Sequence, residues 1–316
     1  MLRGIRSSFM LAALAAGVAV PALAQELPHE GPVPTTALVN VESKNAVQLD
    51  PRGLTLQVNG HETPITSVRS AASGNEEIAI LIDDGLRTNF GLQLNEISNF
   101  VKSLPPNAKV LVGYMENGTV RSSGHFTADH QEIASQIRVP IGVPGQSASP
   151  YFCLSDFVKH WPSQEPAARF VLMITNGVDP YNGRASLMNQ DSPYVQAAQD
   201  DAIRAGVAVY SIYFQDSGFR GGRGSLSGQS YLQQVGDATG GTLFNQGPIT
   251  PVSIGPYLNQ FEHAINSSYE LGFMANAQGK RDTLVRIKVK SNQSGVKVHA
   301  PEEVRAGLDE MTVAER

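Results

Sequence analysis

The stretch Glu76-Glu77-Ile78-Ala79-Ile80-Leu81-Ile82-Asp83-Asp84-Gly85-Leu86-Arg87-Thr88 reads as a strand that runs into a polar turn. Ile78 to Ile82 form a short unbroken apolar run, the pattern of a strand buried on both faces of a parallel sheet. A carboxylate pair at the carboxyl end of such a strand lies where open α/β sheets place their ligand sites. Asp and Gly also end strands in any protein, because both favour turns. The weight of the reading therefore rests on what the rest of the chain supplies.

Two more segments repeat the pattern. Arg169 to Asn176 is an apolar run ending in Thr175 and Asn176, followed by Gly177-Val178-Asp179, and Ala205 to Phe214 is a third. Between and after them, helical spacing is predicted over 89–104, 129–137, 151–161, 191–205, 227–239 and 254–266. Pro105-Pro106 stops the first of these and Gly206 the fourth. Further strands are expected over 108–115, 119–123 and 240–244. Strand and helix thus alternate from Ile78 to Asn266, which predicts an α/β fold: a doubly wound, mainly parallel sheet flanked by helices.

These strands and turns together resemble a von Willebrand factor A-type domain, and most nearly the bacterial exported "VWFA-related" domain family. The resemblance extends from about Val39 to His299 and is spread over strands and turns rather than concentrated in one motif. It implies a Rossmann-like domain in which three loops hold a divalent metal. The family's first strand ends in Asp-x-Ser-x-Ser, a middle loop supplies Thr or Ser, and the third strand is followed by Asp-Gly. Carried onto this chain, Asp83 matches the first Asp, while Gly85 and Arg87 stand where the two Ser should be. Ser147 or Ser149 supplies the middle-loop hydroxyl, and Asn176 occupies the place of the third-loop Asp.

A hard divalent cation such as Mg²⁺ wants six oxygen ligands in octahedral array. Against that demand the carboxylate count has fallen by one and both serines of the first loop are gone. A guanidinium about 5 Å from a divalent ion is repelled by several kcal/mol at an effective dielectric near 20. The expectation is a degenerate site, with Arg87 or water replacing the metal and Arg87 paired to Asp83 or Asp84. The residues assigned to it are Asp83, Asp84, Arg87, Thr88, Ser147, Ser149, Thr175, Asn176 and Asp179. A shifted Mg or Mn site, with Asp83 and Ser147 at its centre and Asp84, Thr88 and Asp179 in support, is the alternative.

Outside the sheet the chain divides simply. Residues 1–24 carry Arg3 and Arg6, an apolar centre from Phe9 to Val20 and the small-residue ending Ala22-Leu23-Ala24, the signature of a Sec-type signal peptide. That centre is shorter than the roughly 20 residues of a membrane span. Residues 25–36 read as a linker rich in Pro and Glu, 37–70 as a β-rich flank with an Asn59-Gly60 turn, 268–300 as a second β-rich flank, and 301–316 as a tail; the sheet domain occupies 76–267. Net charge is −5, which favours neither nucleic acid nor an anionic membrane as partner. Cys153 is the single cysteine, so no internal disulfide forms, and its apolar setting predicts a buried thiol. The Gly-rich run from Gly218 to Gly224, with two arginines, reads as a loop rather than an RNA-binding segment.

The sequence has no Gly-x-Ser-x-Gly elbow, His-Glu-x-x-His, P-loop or Gly-x-Gly-x-x-Gly fingerprint, and its seven His are scattered. The expectation is a non-enzymatic, exported module of the adhesion type, periplasmic or secreted, binding a protein or peptide through the loops at the carboxyl edge of the sheet. An envelope structural or assembly component whose loop site is vestigial is the competing expectation.

Overall fold

The computed structural model describes residues 30–43, 53–72, 75–86, 88–142, 149–183, 190–215, 223–245, 247, 250–278 and 283–308. Residues 1–24, expected to be a signal peptide, the first part of the expected linker, Arg87, Ser147, most of the Gly-rich run and the end of the tail lie outside these residues.

Six strands form the central sheet: β5 (Glu76–Asp83), β6 (Lys109–Glu116), β7 (Thr119–Ser122), β8 (Ala168–Thr175), β9 (Val207–Tyr213) and β10 (Leu243–Phe244). Their spatial order is β10-β9-β8-β5-β6-β7, all parallel except β7, which returns antiparallel to β6. The chain moves outward from β5 through β6 and β7, then crosses back to β8 on the other side. The switch point of the sheet is therefore the crevice beyond β5 and β8. Every residue of β5 is buried, as its unbroken apolar run required. Ile78, Ile80 and Ile82 face one core, shared with Ile97, Phe100 and Val101 of α1 (Leu94–Ser103) and with Tyr257, Leu258 and Phe261 of α6 (Gly255–Asn266). Ala79 and Leu81 face the other, among side chains of α3 (Pro150–Lys159), α4 (Pro193–Arg204) and α5 (Arg223–Thr239). Each such apolar side chain contributes about 1.5–3 kcal/mol by leaving water, before entropy is counted. The remaining helix, α2 (His130–Gln136), caps the first core through Ile133.

Local chemistry sets the helix starts. Ser149 and Ser192 cap α3 and α4, each accepting from backbone N–H groups of the first turn, and each is followed by Pro at the first helical position. The helix expected from residue 89 opens instead as a 3-10 turn, Thr88–Gln93, and becomes α-helical only at Leu94. Helix α5 begins at Arg223, four residues earlier than the apolar spacing indicated.

The flanks differ more from expectation. Strands β1 (Glu30–Ser43), β4 (Ile65–Ser70), β11 (Ser268–Gln278) and β13 (Val296–His299) form one four-stranded sheet in the order β13-β1-β11-β4. Strands β2 (Leu54–Val58), β3 (His61–Thr63), β12 (Leu284–Ser291) and β14 (Glu303–Arg305) form another, β14-β12-β2-β3. Leu54, Leu56 and Val58 pack with Ala37, Val39, Leu271, Phe273, Val285 and Ile287 in a single core, so the two sheets close as a sandwich. Strands before and after the central domain build one module, and that domain is inserted between β4 and β11.

Two assignments are thereby corrected. Residues 30–36 are strand rather than linker, and part of the tail is strand β14. Pro32 and Pro34 are tolerated because β13 pairs only with Asn40–Ser43, leaving the start of β1 with β11 as its one strand partner. The modules are joined closely. Only Ser267 separates α6 from β11, and Asn40 Nδ2 donates to the Ala264 carbonyl at 2.7 Å while Glu302 N–H donates to the Ala238 carbonyl at 3.1 Å.

Candidate functional site

The register of β5 against β8 pairs Ile82 with Ile174, so the next residues, Asp83 and Thr175, stand side by side at the carboxyl edge. Thr175 Oγ1 donates to Asp83 Oδ2 at 2.8 Å, and Asp83 Oδ1 accepts from Gly85 N–H at 2.9 Å. Both residues are buried. Gly85, standing where a ligating Ser was sought, thus contributes a backbone donor that closes the turn on Asp83.

Asp84 is used differently. Its Oδ1 accepts from Arg138 Nη1 at 2.7 Å and from Ile141 N–H at 3.1 Å, and its Oδ2 from Arg138 Nη2 at 3.3 Å. The Arg138 guanidinium also stacks on Tyr114, 3.8 Å from the ring centroid. The Tyr114 hydroxyl accepts from Arg138 N–H and donates to the Arg138 carbonyl. The hydrogen bond to Asp84 raises the Arg138 pKa, and burial raises that of the Tyr114 phenol. A bidentate guanidinium–carboxylate pair is among the stronger protein contacts. Here it clasps segment 138–142 over the end of β5, helped by Gly142 N–H donating to the Asp84 carbonyl at 2.9 Å.

Among the described residues the cation paired with Asp84 is Arg138, while Arg87, to which the sequence pointed, lies outside them. No local pattern marks Arg138, which lies 54 residues from its partner.

The other expected residues are placed as follows. Ser149 is buried and caps α3. Asn176 Oδ1 accepts from Val178 N–H at 2.9 Å, an Asx turn that shapes its own loop. Asp179 is buried; its Oδ1 accepts from Tyr181 N–H at 3.1 Å and its Oδ2 from Ser192 Oγ at 2.8 Å. Thr88 opens the 3-10 turn. The structure thus brings Asp83 and Thr175 together, and gives Asp84, Ser149, Asn176 and Asp179 loop-holding contacts. Two glycines seat the 176–178 loop on α5. A Cβ on Gly228 would meet the Asn176 carbonyl at 2.2 Å, and one on Gly177 would meet the Gly228 carbonyl at 2.5 Å.

Among the described residues this donor set falls short of the oxygen ligands an octahedral metal site takes. One carboxylate and one hydroxyl converge, the second carboxylate is ion-paired, and among the described residues no three His, Cys, Asp or Glu side chains cluster to hold a metal. A cavity of about 210 Å³ lies far from these carboxylates, between the amino edge of the sheet and the sandwich, lined by Arg69, Arg169, Glu270 and Glu303 among others.

The carboxyl edge carries exposed apolar groups on both sides of the Asp83–Thr175 pair. Leu92 is 79% exposed, Ile141 76% and Val252 97%. Their segments meet there, since Gln93 Nε2 donates to the Val252 carbonyl at 3.2 Å and Ile141 N–H is bound to Asp84. On the β8 side, Tyr181 is 57% and Tyr194 37% exposed.

No protein-family model matches the sequence, and no curated protein does. Among solved structures, the chain is similar to an aerotolerance-related membrane protein from Bacteroides fragilis carrying multiple mutations to serine, at 15% identity and TM-score 0.45 over 61% of this chain and 99% of that one. It is also similar to BatB of Bacteroides thetaiotaomicron (14% identity, TM-score 0.42, 60% of this chain and 97% of that one). A third is the manganese-loaded TRAP protein of Plasmodium vivax (12%, 0.42, 75% and 96%). The sheet order, with the first strand central and one antiparallel edge strand, makes the inserted domain a doubly wound α/β fold.

Proposed function

We propose that this chain is an exported, non-enzymatic binding module of the adhesion type, which takes a protein or peptide partner on the carboxyl edge of its central sheet without needing a metal. The observation that carries this reading is the composition of that edge. Its carboxylates are engaged by Thr175, Gly85 and Arg138, while Leu92, Ile141, Val252, Tyr181 and Tyr194 project around them. Monomeric proteins rarely display such apolar groups together unless they mark an interaction surface. Loops held on a rigid sheet are where binding residues concentrate. Export follows from the signal-peptide pattern of residues 1–24. No described helix is long and apolar enough to cross a membrane.

A metal-dependent variant is favoured by one observation, the pairing of the Asp83 carboxylate with the Thr175 hydroxyl, both oxygen donors suited to Mg or Mn. Thermal unfolding of the chain from Gln25 in EDTA and then in millimolar Mg²⁺ or Mn²⁺ separates the two. Metal at a hundredfold excess over its Kd stabilises by about 2.7 kcal/mol. We expect no shift; a rise of several degrees that Asp83→Asn abolishes would establish the metal-dependent form. Partner capture in EDTA that is lost in Asp83→Asn/Arg87→Ala, with the melting temperature kept, distinguishes the loop-binding module from an envelope component using its sheet edges.

A further inference from the structure

Residues 280–297 carry six Lys and Arg against one Asp, a local excess that sets this stretch apart in the sequence. Strand β12 displays three of these cations in a row. Val285, Ile287 and Val289 turn into the sandwich core, so Arg286, Lys288 and Lys290 stand together on the opposite, exposed face. Alternate residues of a strand repeat about every 6.8 Å, which makes the row about 14 Å long. The register fixes what surrounds it. Lys290 is opposite Thr55 and Lys288 opposite Gln57 on β2, both uncharged, while Arg286 meets Glu303 of β14 at 3.9 Å. Beyond β2, Glu62 of β3 is paired with Gln57 and so bounds the row on that side.

Lys is depleted in strands, and like charges at this spacing repel, with Thr55 and Gln57 unable to offset them. Departures from local preference of this kind concentrate at functional sites. We infer that this face of the sandwich binds an acidic segment of a partner protein, laid extended along β12. In an extended chain, Asp or Glu at alternate positions repeats at the same distance of about 6.8 Å, which sets one carboxylate over each cation. A flat anionic membrane matches the surface less well, because Glu62 and Glu303 share the face on either side of the row. The sandwich adjoins the amino edge of the central sheet, so this surface is separate from the carboxyl-edge loops and independent of their function.

The test is an NMR titration of the nitrogen-15-labelled chain with two capped peptides of equal charge, at low salt because exposed charges are screened. One peptide is Ser-Glu-Ser-Glu-Ser-Glu-Ser and the other Ser-Ser-Glu-Glu-Glu-Ser-Ser. The alternating peptide should bind more tightly than the block peptide and shift the amide signals of β12 and β2 around Lys288 and Gln57. Lys288→Gln/Lys290→Gln should weaken it about three- to tenfold, the change expected for two exposed ion pairs. Lys102→Gln/Lys297→Gln, which removes as much charge from exposed sites elsewhere, should bind as the wild type does. All four lysines are exposed, so both double variants should keep the spectrum of the folded chain. Equal affinity for the two peptides, or equal weakening in the two double variants, would mean diffuse attraction and would overturn the inference. So would no binding at all. Tighter binding of sodium polyphosphate or phosphatidylglycerol vesicles, lost in Lys288→Gln/Lys290→Gln, would give the row to phosphate groups and overturn it as well.

Discussion

At the scale of single residues, Arg138 and Asp84 show how a carboxylate that looks like a ligand becomes a fastener. The Asp84 side chain is 2% exposed and the Arg138 side chain 36%, so removing the arginine leaves a buried charge uncompensated. Breaking fully buried pairs in this way costs about 3–5 kcal/mol; with the arginine partly solvated, Arg138→Ala should cost about 2 kcal/mol. Urea titration monitored by circular dichroism measures this, and an unchanged midpoint would show that the pair contributes nothing. Cys153 gives a second prediction. Burial is the largest cause raising its thiol pKa, to about 12 from the usual 9. The unfolded chain ionises this thiol near pH 9 and the folded chain only near 12. Stability is therefore fully present below pH 9 and declines as pH climbs through that window. Cys153→Val should flatten this part of the pH–stability curve, and the native thiol should stay silent to a disulfide reagent at pH 8 until the protein is unfolded.

At the scale of elements, the loop after β8 is positioned by its contact with α5. A methyl group on Gly228 would overlap the Asn176 carbonyl, and backbone on backbone leaves little room to yield. Gly228→Ala should therefore destabilise the protein by about 1–3 kcal/mol, as overpacking does, and weaken partner binding beyond that loss. Binding measured well below the melting temperature separates the two effects; normal affinity would show that the loop is not held from α5. The β1–β13 pairing offers a pH test. The Glu42 pKa lies below 4.5 chiefly through its hydrogen bond with His299, at 3.1 Å. A lowered carboxylate contributes stability present above its unfolded pKa and lost as pH falls through the folded value. Glu42→Gln should therefore lower the melting temperature slightly at neutral pH and remove part of the acid decline below pH 4.5, measured by thermal unfolding across pH 3 to 7.

At the scale of the molecule, the insertion leaves the strands that precede the central domain paired with those that follow it. Strand β1 pairs with β11 and β2 with β12, so truncation after residue 282 removes β12, β13 and β14 and leaves β2 with β3 alone of its two partners. Leu54, Leu56, Val58 and Phe273 would then lose core contacts with Val285, Ile287 and Val289. The truncated chain should bind a hydrophobic dye and aggregate, while an unaltered, monomeric product would show that the sandwich is dispensable. Because Ser267 alone joins α6 to β11, such damage should also lower the melting temperature of the central domain.

What the sequence determined by itself is the local grammar of the central domain. Unbroken apolar runs fixed β5, β8 and β9 because a strand covered on both faces has no polar side to show. Helical spacing marked α3 and α4, and Asp83 and Thr175 were legible as the ends of such runs. What only the tertiary structure decided involves residues far apart in the chain. Nothing near Asp84 points to Arg138, nothing in the Pro-containing segment 30–36 points to Gln278 and its neighbours in β11, and Asp179 gave no sign that its carboxylate would hold Tyr181 and Ser192 rather than a ligand. Side-chain periodicity reports which face of an element is buried. It carries no information about which distant charge, strand or ring will be waiting on the other side.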